Sequence, residues 1–178
     1  MKNYLYVDDS NLTITAQQMS AVDRGLARNI HEARTNQLTD RCYRIDYSKL
    51  LLRTVNRLES LGRAVAYGSH AGGFCPFAVS ARDAGFETVV HLRRGGREKM
   101  VDNEIATDMI LDALELADPV EDRITLVSGD SDFVPAVKKL IARGFRVNVT
   151  FWSSVASELA LAASRFTCLD ASLKSLAI

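Results

Sequence analysis

The sequence carries no surplus of charge, no long apolar run and no cysteine pairing, and each lack bears on what the chain can be. Its lysines plus arginines number 22 and its aspartates plus glutamates 22, so the formal net charge is zero. Any attraction for a polyanion must therefore come from local segregation of charge. Cys42, Cys75 and Cys168 are odd in number, far apart and without Cys-x-x-Cys spacing. That disfavours a disulfide scaffold or a zinc ribbon and suits a reducing compartment. No run of about 18 apolar residues occurs, the length a membrane span needs. Residues 2–9 hold no apolar stretch long enough for a signal peptide, so a cytoplasmic setting without a membrane partner is expected. His31, His70 and His91 are isolated, with no metal-ligand spacing. There is no internal repeat, low-complexity tract or linker.

What is present is an ordinary globular composition, 47% hydrophobic and 25% charged over 178 residues. That length suits a single domain over residues 1–178 with a substantial core. Tyr4-Leu5-Tyr6-Val7 reads as a first strand ending at Asp8. Residues 12–30 are expected to be helical in part, and the polar segment 31–44, with Arg34, Arg41 and Arg44, a loop or flap. Asp46 looks like an N-cap for a helix closed by Gly62. A second strand over 63–67 is expected to end in a turn over 68–73, followed by a helix over 76–84 with Gly85 as its cap. Strands at 87–92, 124–127 and 146–151 alternate with helices at 102–117, 132–143 and 155–163, and a short strand over 166–169 ends the pattern. Strands alternating with helices in this way predict a three-layer α/β/α domain with a mainly parallel central sheet.

In such sheets ligands bind beyond the carboxyl ends of the strands. Asp8 and Asp9 lie just past the first strand, and Asp130 and Asp132 just past the fourth, in Ser128-Gly129-Asp130-Ser131-Asp132. Asp102 opens the intervening helix, and its i+3, i+4 and i+7 partners Ile105, Ala106 and Met109 are apolar, which puts it on the inward face. Two like charges about 4 Å apart repel by roughly 4 kcal/mol at an effective dielectric near 20. Gathered carboxylates must therefore raise their pKa values or hold a cation. Oxygen ligands without a cysteine or histidine set suit Mg²⁺ or Mn²⁺, and such an ion serves phosphodiester hydrolysis. Asn11, one turn after Asp8, offers an uncharged donor for a phosphate oxygen or an attacking water.

Simpler roles compete with each of these. Asp132 and Asp46 have the position of N-caps, and Asp102 that of a favourable charge at a helix start. Asp9 reads as a solvated neighbour of Asp8. Glu104, Asp108, Asp112 and Glu115 form a separate acidic stripe, which makes Asp108 a solvated residue. Arg93, Arg94, Arg97 and Lys99 follow the third strand in a glycine-containing basic loop at the same edge. They would supply the phosphate contacts that a neutral protein otherwise lacks, unless they merely pair with Glu98.

Four segments taken together resemble the NYN domain, a branch of the PIN-like nuclease superfamily. They are Tyr6-Val7-Asp8-Asp9-Ser10-Asn11-Leu12; Arg97-Glu98-Lys99-Met100-Val101-Asp102; Leu126-Val127-Ser128-Gly129-Asp130-Ser131-Asp132-Phe133-Val134-Pro135; and the helix, Gly144 and strand that follow, with Ala156-Ser157-Glu158-Leu159. The resemblance implies a PIN-like fold and divalent-metal endoribonuclease chemistry, with Asp8, Asp102, Asp130 and Asp132 as metal ligands. It also brings Asp108 forward as a ligand, against the periodicity. Met100 stands where the family usually has glycine, and Ser164 where such domains often carry an aspartate. That second change either thins the acidic cluster or alters a structural contact.

The expectation is Mg²⁺- or Mn²⁺-dependent cleavage of single-stranded RNA, with Asp8, Asn11, Asp102, Asp130 and Asp132 catalytic. A homo-oligomer remains compatible with it. Two rivals stand beside it. One is a non-catalytic RNA-binding or interaction module that keeps the fold. The other is a haloacid-dehalogenase-like phosphatase, whose first motif would need a second aspartate where this chain has Ser10.

Overall fold

The structure, a computed structural model, describes residues 1–56, 58–70, 72–73, 75–92 and 99–178, without the side chains of Lys99 and Met100. Among the described residues six strands form one sheet in the order β3-β2-β1-β4-β5-β6. They are β1 (Lys2–Asp8), β2 (Ser60–His70), β3 (Glu87–Leu92), β4 (Arg123–Val127), β5 (Arg146–Phe151) and β6 (Arg165–Cys168). Every neighbouring pair runs parallel. The helices are α1 (Asp9–Asp23), α2 (Ile30–Thr35), α3 (Tyr47–Thr54), α4 (Pro76–Asp83), α5 (Lys99–Glu115), α6 (Val134–Ile141) and α7 (Ser157–Ala162).

The two-residue period of β1 splits the core. Tyr4 and Tyr6 face one layer, with Val101, Ile105 and Met109 of α5 and Val134, Val137 and Leu140 of α6. Leu5 and Val7 face the other, with Leu12 and Ala16 of α1, Tyr47 and Leu50 of α3 and Ala81 of α4. Central strands buried on both faces explain why they read as continuous apolar runs. The chain fills the sheet from β1 outward through β2 and β3, then returns to the other side of β1 for β4, β5 and β6. The reversal lies between β1 and β4, and it opens a crevice at their carboxyl ends.

Several boundaries differ from the sequence expectations. The helix capped by Asp46 stops at Thr54, and Gly62 lies inside β2, where an added Cβ would stand 2.8 Å from the Tyr4 ring. Parallel pairing with β1 from Lys2↔Ser60 onward extends the amino end of β2, and pairing with β3 through His70↔Leu92 extends its carboxyl end and absorbs Gly68, opposite Val90. There a Cβ would meet the Phe77 ring at 2.6 Å. The 31–44 segment begins inside α2, whose cap Asn29 accepts from the Glu32 N–H. The helix expected from residue 132 begins as a 3-10 turn, Ser131–Phe133, and Pro135 sits in the first turn of α6, where a missing N–H costs nothing. No helix among the described residues is long and apolar enough to cross a membrane.

Candidate active site

Asp8 is the last residue of β1 and the N-cap of α1. Its Oδ1 accepts from the Asn11 N–H at 3.1 Å and its Oδ2 from the Ser128 hydroxyl at 3.1 Å. Ser128 follows β4, so this bond ties the two strands together at the reversal point. Asn11 makes a second tie, because its Oδ1 accepts from the Gly129 N–H at 2.9 Å. Only an oxygen can meet that N–H, which fixes the amide orientation and leaves Nδ2 as a donor. Gly129 is required here, since a Cβ would stand 2.2 Å from the Phe151 ring. Asp130 caps the 3-10 turn, with its Oδ1 accepting from the Asp132 N–H at 2.9 Å. Its other oxygen makes no hydrogen bond among the described residues.

A cavity of about 160 Å³ lies at this carboxyl edge of the sheet. Asp8, Asn11, Asp102 and Asp130 are gathered there, with Ser10 from α1 and Ser69 from the end of β2. No lysine, arginine or histidine lines it among the described residues. Burial pushes the Asp8 carboxyl up to about 7, opposed by the Asn11 N–H and the Ser128 hydroxyl and reinforced by the charges of Asp102 and Asp9. Asp8 and Asp130 are thus both helix caps and cavity-lining residues. Nothing about capping requires two capping acids to face a third from α5.

The remaining expected residues fall elsewhere. Asp132 is exposed and does not line the cavity. Asp108 is not a solvated residue, because its Oδ2 accepts from the Tyr67 hydroxyl at 2.6 Å, and it too lies outside the cavity lining. Two more members of that stripe, Asp112 and Glu104, are likewise partnered, whereas Glu115 is exposed. Asp112 is buried against the Tyr6 hydroxyl at 2.6 Å and Arg63 at 2.7 Å, and Glu104 contacts His91. An i+4 acidic repeat resembles a solvent face until tyrosines and an arginine of the sheet meet it. Asp9 is no solvated neighbour either: Tyr47 and Thr13 donate to its Oδ1 at 2.7 and 2.8 Å. Arg93, Arg94 and Arg97 lie outside the described residues, as does the Lys99 side chain. Sequence reasoning passed over Ser128 and Ser69; the first stood within the Ser-Gly-Asp motif and could have been found there.

Ser164 proves to be a structural substitution. Its hydroxyl accepts from the Val147 N–H at 3.1 Å and its own N–H donates to the Val147 carbonyl. Val147 pairs with Ile124, and Ile124 with Tyr4, four residues upstream of Asp8. At about 3.3 Å per residue that is some 13 Å from the cavity rim along the strand. Ser164 therefore takes no carboxylate away from the cavity.

The NYN domain model matches residues 4–170, nearly the whole length. The chain belongs to the NYN domain family. Membership places it in the PIN-like nuclease superfamily and supports a nuclease-type, hydrolytic function. The fold also matches a crystal structure of a protein of unknown function from Vibrio parahaemolyticus RIMD 2210633. That match has 21% identity and a TM-score of 0.67, covering 99% of this chain and 96% of that one. At such identity the likeness speaks for the fold alone. No curated protein matches.

The cavity's donor set suits a hard divalent cation, since carboxylate and amide oxygens line it without thiolate or imidazole. Among the described residues no group of three or more histidine, cysteine, aspartate or glutamate side chains stands close enough together to hold a metal ion. Asp8, Asp102 and Asp130 are gathered only as lining of the same cavity.

Proposed function

We propose that this NYN-domain chain is a divalent-metal-dependent ribonuclease acting on single-stranded RNA. The observation that carries the reading is that Asp8, Asp102 and Asp130 line one cavity with no cationic side chain among the described lining residues. Those three carboxylates would hold Mg²⁺ or Mn²⁺. When bound, such an ion lowers the pKa of a water and neutralises charge on the phosphodiester. Asn11, its amide fixed by Gly129, directs Nδ2 hydrogens at a phosphate oxygen or the attacking water. Ser128 holds Asp8 in place and so keeps the carboxylates in register. Asp132 and Asp108 would act at most through Asp130 and Tyr67, as positioning residues. The segment between Leu92 and Lys99 joins the carboxyl end of β3 to the start of α5, so Arg93, Arg94, Arg97 and Lys99 would grip the RNA backbone at this same edge.

The test is incubation of purified protein with end-labelled single-stranded RNA, in Mn²⁺ and in chelator, for the native chain and Asp130→Asn. Cleavage in Mn²⁺ that chelator stops is expected. Asp130→Asn should reduce kcat by roughly 10³-fold, the scale of losing a principal electrostatic group, while folding and RNA retention persist. Cleavage indifferent to both chelator and Asp130→Asn sinks the reading. Hydrolysis of an aryl phosphate in place of RNA would favour the phosphatase.

A further inference from the structure

A second cavity, of about 250 Å³, flanks α1 on the side away from the first. Asp9, Thr13 and Gln17, each four residues apart, form the stripe of α1 that lines it, whereas Ser10, Asn11, Ile14 and Thr15 line the first. The first turns of α1 therefore divide two cavities, and the adjacent residues Asp8 and Asp9 serve one each.

Three chemistries meet in the second cavity. Asp9 is held rigidly, because Tyr47 and Thr13 both donate to Oδ1, and Oδ2 makes no hydrogen bond among the described residues. Ile45, Pro76 and the Phe77 ring that rests against Gly68 make an apolar wall. Arg41 and Arg44 are exposed at its edge, and neither side chain makes a hydrogen bond or ion pair among the described residues. The backbone that carries these arginines is anchored. Asp40 accepts from Ser20, Arg24 and the Cys42 N–H, Gln17 donates to the Tyr43 carbonyl, and Tyr43 donates to the Leu173 carbonyl. Two guanidiniums thus stand ready at a site that already contains a fixed acceptor.

That combination selects its ligand. A simple anion would be repelled by Asp9, and a simple cation by the arginines. A neutral apolar molecule would leave the acceptor and both charges unused. A nucleoside 5′-phosphate unit satisfies all three: flat apolar faces for Phe77, an amino or imino donor for Asp9, and a phosphate for the arginines. The volume lies just below that of sites for whole drug-sized ligands, which suits a single such unit.

We infer that this cavity seats one nucleotide of the single-stranded RNA substrate, adjacent to the scissile phosphate, with its base against Phe77 and Asp9 and its phosphate on Arg41 and Arg44. The inference rests on the ribonuclease reading for the word substrate, and on the cavity alone for the nucleotide.

The experiment titrates each of the four nucleoside 5′-monophosphates, their parent nucleosides and a single-stranded RNA tetramer into the full chain, followed by amide NMR shifts. The Arg41→Ala/Arg44→Ala double variant, altered only at exposed positions, is titrated in parallel. At least one monophosphate should bind saturably and compete with the tetramer. Binding should weaken about tenfold or more in the double variant, and nucleoside binding should change little. In RNA cleavage the double variant should raise KM with kcat nearly unchanged, and Asp9→Asn should shift the base preferred beside the cut. Absence of monophosphate binding, or equal binding by the double variant, overturns the inference. A monophosphate that binds without competing with the tetramer also overturns it, making a free nucleotide the ligand. Nucleotide and tetramer binding without any RNA cleavage would leave the nucleotide seat standing and remove the nuclease reading instead.

Discussion

The two edges of the sheet treat the same side chain in opposite ways. At the amino edge Glu59 is fully buried, yet Arg123 pairs with it, and Asn3 Nδ2 and the Asn56 N–H donate to it as well. Nearby Asp122 accepts from the Lys2 and Asp118 N–H groups at 2.6 and 3.0 Å. Burial pushes the Asp122 carboxyl up, but those two N–H groups and the N-terminal and Lys2 charges outweigh it and hold the group below its ordinary value. At the carboxyl edge burial pushes the Asp8 carboxyl up to about 7; its two hydrogen bonds oppose the rise, the charges of Asp102 and Asp9 add to it, and no basic group among the described residues answers it. Acids whose charge is answered within the chain stabilise the fold. Under the proposed function the acids of the carboxyl edge would be answered by a bound cation, and this contrast can be tested from either edge.

The largest expected effect is a pH dependence at the carboxyl edge. The Asp8 carboxyl titrates near 7 in the folded chain and near 3.9 unfolded. Between those values the folded state binds the extra proton, so stability falls as pH rises from about 4 and levels off above about 7. In chelator the loss has an upper bound of about 4 kcal/mol. Urea unfolding of the native chain from pH 4 to 8 should show it, and Asp8→Asn should flatten the profile. A native profile already flat over that range would erase the difference between the edges.

Next comes the amino edge. Arg123→Ala strips a buried glutamate of its counter-charge and should cost about 3 kcal/mol, at the low end for such pairs because Asn3 and Asn56 still donate to Glu59. The urea midpoint should drop while RNA cleavage per folded molecule stays unchanged. Loss of cleavage in a folded Arg123→Ala chain would mean the two edges are not functionally separate.

The smallest effect belongs to an acid with a purely local partner. Asp46 caps α3 by accepting from the Lys49 N–H at 3.1 Å, and it lines neither cavity itself, although its neighbours Ile45 and Tyr47 line the second. Asp46→Ala should lower stability by about 1 kcal/mol, visible as a small shift in thermal midpoint with cleavage intact.

Much of this was legible before folding, and the limits are instructive. Asp46 as a cap and Gly85 and Gly144 at positive φ (93° and 91°) follow from local rules, since a cap or a left-handed residue depends on a few neighbours in sequence. Asp8, Asn11, Asp102 and Asp130 could be gathered on paper because a parallel sheet dictates where its strand ends lie. The stripe of Glu104, Asp108 and Asp112 was misleading for the opposite reason. Helical periodicity shows which residues share a face, but not that His91, Tyr67, Tyr6 and Arg63 of the sheet await them. Gly62 and Gly68 read as a stop and a turn, whereas pairing with β1 and β3 makes them interior residues of a strand.

By itself the amino-acid order determined the alternation of strands and helices, the apolar runs that become buried strands, and the acids that end β1 and β4. These depend on the two periods of the backbone and on short-range caps. Only the tertiary structure decided which acids find partners, and that Asp8 and Asp9 face different cavities across α1. It also decided that Ser164 sits far from the rim. Charge pairing and cavity walls are made by residues tens of positions apart, and their distances exist only once the sheet has closed its order.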